Sequence, residues 1–190
     1  VKIMAVQIGN LVNFNEISST LGISVKTLKE YLWYLEKTFI VQRISPYFKN
    51  VRKEITKSPL FYFCDLGLRN FAAGVFGNMK DTGFIFQNYI FNILREKTRI
   101  SSSKICFWRT KDKAEVDFVL DSGKAPIPIE VKYKKLAAAE IPRALRSFIE
   151  RYKPEKALII NLNLDTTSTI NQTKILIMPF YKIIESGFFN

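Results

Sequence analysis

The sequence predicts an α/β protein in two parts: a helical N-terminal unit ending in a β hairpin, then a mixed sheet flanked by helices. Three observations lead there. In a mostly helical first part, Val25, Leu28, Leu32 and Leu35 step by three and four, which is the period of a helix packed on one side. Beyond Gly83 the pattern reads helix, three strands, helix, strand, an order that makes a helix-flanked mixed sheet. Between them, Gly74, Gly77 and Gly83 surround Asn78, Lys80 and Asp81, the strongest break in the chain. The division falls at 1–76 and 77–190. An apolar content of 47% over 190 residues suffices for a core in each part.

Val1 to Leu11 reads as a short helix and Asn15 to Leu21 as a second, with Asn13 or Asn15 available as its N-cap. Leu21-Gly22-Ile23-Ser24 is a tight turn ending in a capping serine. From Ser24 to Lys37, Val25, Leu28, Leu32 and Leu35 form one buried stripe. Short helix, glycine turn and Ser-capped helix make a helix-turn-helix arrangement. Phe39 to Ile44 and Leu60 to Cys64 read as strands, and a hairpin between them is the wing of a winged helix. In such a unit the second helix enters the major groove. Ser24, Lys26, Thr27 and Lys29 are the residue types that meet phosphates and base edges there, and Lys49, Arg52 and Lys53 on the wing suit backbone phosphates. Winged helices also dock on proteins, so DNA contact and protein docking both stand.

In the second part, Gly83 to Thr98 is a helix. Ile105 to Arg109, Glu115 to Asp121 and Pro126 to Tyr133 are three strands, Ala137 to Tyr152 a helix, and Ala157 to Leu162 a strand buried on both faces. Ile175 to Met178 and Pro179 to Glu185 give a last strand and helix. Phe61, Tyr62 and Phe63 read as core. Trp108 and Arg109 read as a surface pair, with arginine stacked on tryptophan.

Net charge is +12, from 29 Lys+Arg against 17 Asp+Glu. It is denser in the first 80 residues and favours a polyanionic partner. No histidine is present, which excludes histidine-based catalysis and, with only Cys64 and Cys106, ordinary zinc sites. The two cysteines sit in apolar runs and read as buried free thiols of a reducing cytoplasm. No apolar run reaches the roughly 18 residues of a membrane span, no signal peptide is visible, and no long basic amphipathic helix suggests a membrane surface. The valine start reads as a piece of a longer chain.

The chemistry concentrates at Asp117, Glu130 and Lys132. Strand positions two apart share a face, so Glu130 and Lys132 project together, and strand pairing can bring Asp117 beside them. Two carboxylates that close repel unless a cation or proton intervenes. Mg²⁺ or Mn²⁺ would be held by Asp117, Glu130 and the Val131 carbonyl. A metal-bound water could then attack a phosphodiester, with Lys132 orienting that water or steadying the charge on phosphate.

Asp117 followed by Glu130-Val131-Lys132, after a helix and a strand, resembles the PD-(D/E)XK superfamily of restriction enzymes and Holliday-junction resolvases. The resemblance implies a restriction-endonuclease-like αβββαβ domain behind the winged helix. A wider resemblance runs through Leu21 to Leu32, Lys57 to Leu68, Phe107 to Thr110, Ala114 to Leu120 and Pro128 to Lys132. These stretches are similar to the C-terminal region of archaeal-type predicted AAA+ ATPases, which includes a domain of unknown function. That implies an N-terminal ATPase module of the same longer chain as partner. The fragment has no P-loop, so ATP is not expected in it. Members of that group tend to carry a glutamate where this chain has Gln87, which can ligate only weakly through its carbonyl. Three readings follow: a DNA-interacting module with a degenerate, non-catalytic nuclease-like fold; an active metal-dependent endonuclease or resolvase; and a protein-docking or structural module. An oligomer is compatible with each.

Overall fold

The computed structural model describes residues 1–48, 58–75 and 82–185. The chain is a mixed α/β structure with one six-stranded mixed sheet and a separate two-stranded one. Three helices come first: α1 (Lys2–Val6), α2 (Phe14–Leu21) and α3 (Val25–Lys37). Asn13 caps α2 by accepting the amides of Asn15 and Glu16. Gly22 ends it in the left-handed region (φ 65°), and Ser24 Oγ then caps α3 through the Thr27 amide at 3.0 Å. Leu28 and Leu32 bury the inner stripe of α3 against Met4, Val12, Ile17 and Phe63. Strands β1 (Val41–Ile44) and β2 (Leu60–Phe63) pair antiparallel, Val41 opposite Phe63. The segment between them that carries Lys49, Arg52 and Lys53 lies outside the described residues.

Helix α4 (Leu66–Ala73) follows β2 directly, capped by Asp65 Oδ1 on the Leu68 amide at 2.6 Å. Then come α5 (Thr82–Thr98), β3 (Lys104–Arg109), β4 (Glu115–Asp121), β5 (Ile127–Val131), α6 (Arg143–Tyr152), β6 (Lys156–Asn161), β7 (Thr166–Ile170), β8 (Thr173–Pro179) and α7 (Phe180–Glu185). The sheet order is β3-β4-β5-β6-β8-β7. Strands β5, β6 and β8 run parallel, while β3, β4 and β7 pair antiparallel with their neighbours. Helices α5 and α7 cover one face, around Ile90, Phe91, Phe118, Ile129 and Ile160. Helix α6 covers the other, where Phe148 and Leu145 meet Val119, Ile159 and Ile177.

Several expectations need correction. The helix foreseen from Ala137 begins only at Arg143, because Pro142 pushes the residue before it out of helical conformation. The third strand is shorter than Pro126 to Tyr133. Helix α4 and strand β7 were not foreseen. Trp108 is buried, packed edge-on to Phe148, so it is no surface partner for Arg109, which pairs instead with Glu115 at 3.3 Å.

The hairpin does not stand apart from the large sheet. Ile8, Ile44, Leu60 and Tyr62 lie in the same apolar cluster as Phe91, Phe107 and Phe118. Past β1, the Tyr47 amide donates to the Phe107 carbonyl (2.6 Å) and the Phe107 amide to that of Ser45 (3.2 Å), so the segment covers the β3 edge.

Candidate functional site

The site forms where β4 and β5 part. Their ladder runs Leu120–Ile127, Val119–Pro128, Phe118–Ile129 and stops. One step further along both strands stand Asp117 and Glu130. The parting has a cause in β4. Between Cys106 and Trp108, two steps on β3 are matched by three on β4, from Val119 to Val116. The extra residue is a bulge at Asp117 and Phe118, and a bulge re-aims side chains. Phe118 goes into the core under α5, and Asp117 turns toward α5 as well.

Both oxygens of Asp117 are engaged. Oδ1 accepts from Gln87 Nε2 on α5 at 2.8 Å, and Oδ2 accepts from the Val131 amide at 2.7 Å. The carboxylate thus satisfies a β5 amide that the ladder no longer reaches. Gln87 is buried, and its amide nitrogen faces Asp117 because a carboxylate can only accept. Its carbonyl lies on the Gly9 side. Gly9 (φ 73°) needs to be glycine, since a Cβ there would come within 2.6 Å of Phe84 and 3.3 Å of Gln87 Oε1. A cleft lined by Gly83, Phe84, Gln87, Val131 and Tyr133 opens alongside.

Glu130 aligns with Ile159 in the parallel ladder, on the α6 face of the sheet, whereas Ile129 and Val131 face α5. Its Oε1 accepts from Lys132 Nζ at 2.6 Å. Its Oε2 is buried and has no hydrogen-bond partner among the described residues. Burial first, then the neighbouring Glu130, push Asp117 well above the usual carboxylate range; the Val131 amide and Lys132 act against them and lose. Burial raises Glu130 too, against the pull of Lys132. Burial lowers Lys132, but Glu130, through charge and hydrogen bond, and Asp117 more than offset it, so its pKa rises. Glu115 is raised by burial, with Arg109 opposing and Glu130 adding. These groups therefore feel one another across the parted strands.

The residues do not fit a resident divalent cation as arranged. Among the described residues no three Asp, Glu or Cys side chains gather to hold one. Asp117 has spent both oxygens on N–H donors, and Gln87 points a donor where a ligand would need an acceptor. An ammonium sits on one oxygen of Glu130, which leaves a single open carboxylate oxygen, Oε2.

Of the residues foreseen for DNA, Ser24 and Thr27 join their hydroxyls at 2.9 Å in the cap of α3. Lys29 Nζ lies over the Phe14 ring at 5.5 Å, and Lys26 is exposed on the same helix. Sequence reasoning missed Asn88, which is wholly buried and bonds the Phe63 amide and carbonyl at 2.8 Å each. The signal was two adjacent amides, Gln87 and Asn88, inside an otherwise apolar helix. Cys106 is buried as expected, Cys64 is only half-buried, and no disulfide joins them. Among the described residues no helix is long and apolar enough to cross a membrane.

Fold and site define a mixed α/β chain in which a helix-and-hairpin unit packs on a bulged, six-stranded sheet, with half-buried Asp117 toward α5 and buried Glu130, bonded to Lys132, on the α6 face. The family called domain of unknown function DUF4143 matches residues 82–182, more than half of the chain, and the chain belongs to that family. A second domain of unknown function, DUF8612, matches residues 1–79. Two curated relatives, the uncharacterized proteins Mb2031c of Mycobacterium bovis and Rv2008c of Mycobacterium tuberculosis, are each 24% identical over 144 residues. The match covers 73% of this chain and 32% of each relative, so the chain spans about a third of their length. A chain from the solved assembly of Thermococcus gammatolerans McrB AAA+ hexamers with bound McrC is similar with a TM-score of 0.46 at 13% identity, over 60% of this chain and 34% of that one.

Proposed function

We propose that the chain is a non-catalytic, nucleic-acid-interacting module of a larger ATPase-bearing protein, a winged helix joined to a restriction-endonuclease-like domain whose catalytic site has become a structural one. The observation that carries the loss of catalysis is the state of Asp117, with both oxygens taken by Gln87 and the Val131 amide. A glutamate at position 87 would add a third negative oxygen donor and call for a cation; glutamine supplies a neutral N–H and removes the need. The bulge, the buried carboxylates and Lys132 then serve the sheet. The nucleic-acid reading is supported by the net charge of +12 and by the exposed lysines of α3. The ATPase association is supported by the resemblance of both parts to the C-terminal region of AAA+ ATPases and by relatives that extend well beyond the matched segment.

The test pairs two assays on this chain. Branched, duplex and single-stranded DNA are incubated with Mg²⁺ or Mn²⁺, and retention of the same substrates is measured against salt. The expected result is retention that falls steeply with salt, no cleavage, and the same retention in Glu130→Gln. Cleavage that disappears in Asp117→Asn and Glu130→Gln would sink the non-catalytic reading. It would favour the second reading, a metal-dependent nuclease, to which the open Oε2 of Glu130 points.

A further inference from the structure

We propose that the exposed side of α3 is a stacking platform for single-stranded nucleic acid, with Trp33 and Phe39 as the residues that hold unstacked bases. The inference rests on the nucleic-acid reading above and specifies the form of strand. Tyr31, Trp33 and Tyr34 are each more than half exposed, and Phe39 is 76% exposed. Large aromatics are usually drawn inward by the area they would bury, so Trp33 and Tyr34 exposed side by side, with Phe39 exposed just past the helix end, mark a surface with a use, whereas Tyr31 stands about 160° round the helix from Trp33. The Trp33 and Tyr34 rings meet edge to face with centroids 5.1 Å apart. Lys37 Nζ lies 5.6 Å from the Trp33 centroid. A surface depression beside them is lined by Val25, Lys26, Lys29, Glu30, Trp33 and Tyr34. Lys26, Lys29 and Lys37 against Glu30 leave the face positive, suited to a polyanion and unsuited to a basic partner.

The chemistry selects unpaired strands over duplex. A helix lying in a major groove reads base edges with hydrogen-bonding groups near its N-terminus. Here the Ser24 and Thr27 hydroxyls are bound to each other and to the cap, and Lys29 is drawn over Phe14. What α3 offers instead is π surface flanked by ammonium groups. A duplex hides the faces of its bases, whereas a single strand presents them, and stacking on aromatic side chains accepts any base.

Phe39 gives a second, independent observation. It follows the C-cap of α3 at φ 56°, where glycine or asparagine normally stands, and the Ile40 amide closes the turn onto the Leu35 carbonyl. A bulky residue held in left-handed backbone with its ring in solvent adds nothing visible to the fold, which points to a role outside it. Beside it a second cleft is lined in part by Arg43, Arg95 and Arg99, of which Arg99 pairs with Glu96 of the same cleft at 3.2 Å, so that Arg43 and Arg95 are the cations placed for phosphates. Trp33 and Phe39 lie six positions apart, about 9 Å along the helix axis, room for one or two stacked bases between them.

Tryptophan fluorescence provides the test on the full 190-residue chain, because Trp33 is exposed while Trp108 is buried. The chain is titrated at low salt with an oligothymidylate of about 16 nucleotides, within the roughly 4–16 that such platforms hold, and with a duplex of equal length. Each carries a dye whose anisotropy reads the affinity of the variants, since Trp33→Ala removes the fluorescent reporter. Expected are quenching by the single strand, weaker binding of the duplex, and a loss of about fivefold or more in affinity for Trp33→Ala and for Phe39→Gly. Both variants alter exposed side chains, and a melting curve for each checks that the fold is kept. Duplex bound as tightly as single strand, with Trp33→Ala unaffected, overturns the platform and leaves the nucleic-acid reading standing. Failure to hold either oligonucleotide at low salt overturns both, and leaves the aromatic side of α3 as a surface for protein.

Discussion

Asp117 shows how much one side chain can hold. It sits on a bulge, caps a strand amide and anchors a helix glutamine, all with a carboxylate that burial pushes well above its ordinary range. A group that binds its proton more tightly folded than unfolded stabilises most below its unfolded pKa. That contribution is lost as pH rises through the folded value. Stability should therefore decline from the ordinary Asp range upward, and Asp117→Asn should flatten the decline. Asparagine can keep the Val131 bond through Oδ1 and donate to Gln87 once that amide turns over. Above neutrality the variant should be more stable by about 1–2 kcal/mol, the size expected when an imperfectly compensated buried charge is removed. Urea unfolding of both proteins across pH checks this; equal slopes would mean that Asp117 carries no raised pKa. The complementary change is Gln87→Glu, which sets a carboxylate against Asp117 where an N–H now stands. In chelator it should cost about 2 kcal/mol, the penalty for an unmade buried hydrogen bond to a charged group. Mn²⁺ should restore the melting temperature of the variant and leave the parent unchanged. The sequence singled out Asp117, Glu130 and Lys132 by type and spacing and expected them to share a face; the structure instead turns Asp117 toward α5 and keeps Glu130, with Lys132 on it, on the α6 face. The sequence brought Gln87 to the site only through the family resemblance, as a weak carbonyl ligand, and did not announce that its amide would donate to Asp117, because that contact depends on a bulge with no residue signature.

At the scale of elements, what was legible followed local rules. The stripe of α3, its serine cap, the Gly22 stop and the strand pattern Glu-Val-Asp-Phe-Val-Leu-Asp all act within a few residues of themselves. What was not legible answered to something further off or weaker. Strand β7, Thr-Thr-Ser-Thr-Ile, is an edge strand with little to bury, so it lacks the apolar alternation that betrays most strands. Helix α4 did carry its signals, Asp65 before it and Gly74 after it, but they were masked by the strand that runs straight into it. Ala137 to Ala139 favour helix by propensity, and Pro142 overrules them. The end of α3 supports a prediction at this scale. Because Phe39 holds left-handed backbone with little burial, Phe39→Gly should stabilise the fold by about 1 kcal/mol. Denaturant midpoints of the two proteins decide it, and a destabilised variant would mean that the ring contributes contacts after all. A more stable protein that binds nucleic acid less well would separate the two roles of this residue.

The molecule as a whole turns on the join between residues 1–79 and 82–182, the two stretches with separate family matches. The glycine-rich break between them was plain in the sequence, yet the apolar surfaces on either side interlock. Ile8, Ile44, Leu60 and Tyr62 enter the cluster under α5, and Tyr62 stacks on Phe91 with centroids 4.8 Å apart. Asn88 completes the join: from α5 it satisfies both the amide and the carbonyl of Phe63, at the end of a strand that has no further neighbour on that side. Neither group can turn to water, because Phe63 and Asn88 are fully buried. Asn88→Ala strands both and should cost about 2–6 kcal/mol, from two buried polar groups at 1–3 kcal/mol each. Since the apolar cluster is shared, the loss should appear as a single unfolding transition moved to lower denaturant, seen alike by far-ultraviolet circular dichroism and by the fluorescence of buried Trp108. Two transitions, with the Trp108 signal unmoved by the substitution, would show instead that the halves fold independently and that Asn88 secures only the hairpin. The single transition carries a consequence for the proposed role. A pull on strand or helix in the first part would be felt at Gln87, which neighbours Asn88 on α5, and through its hydrogen bond at Asp117 on β4.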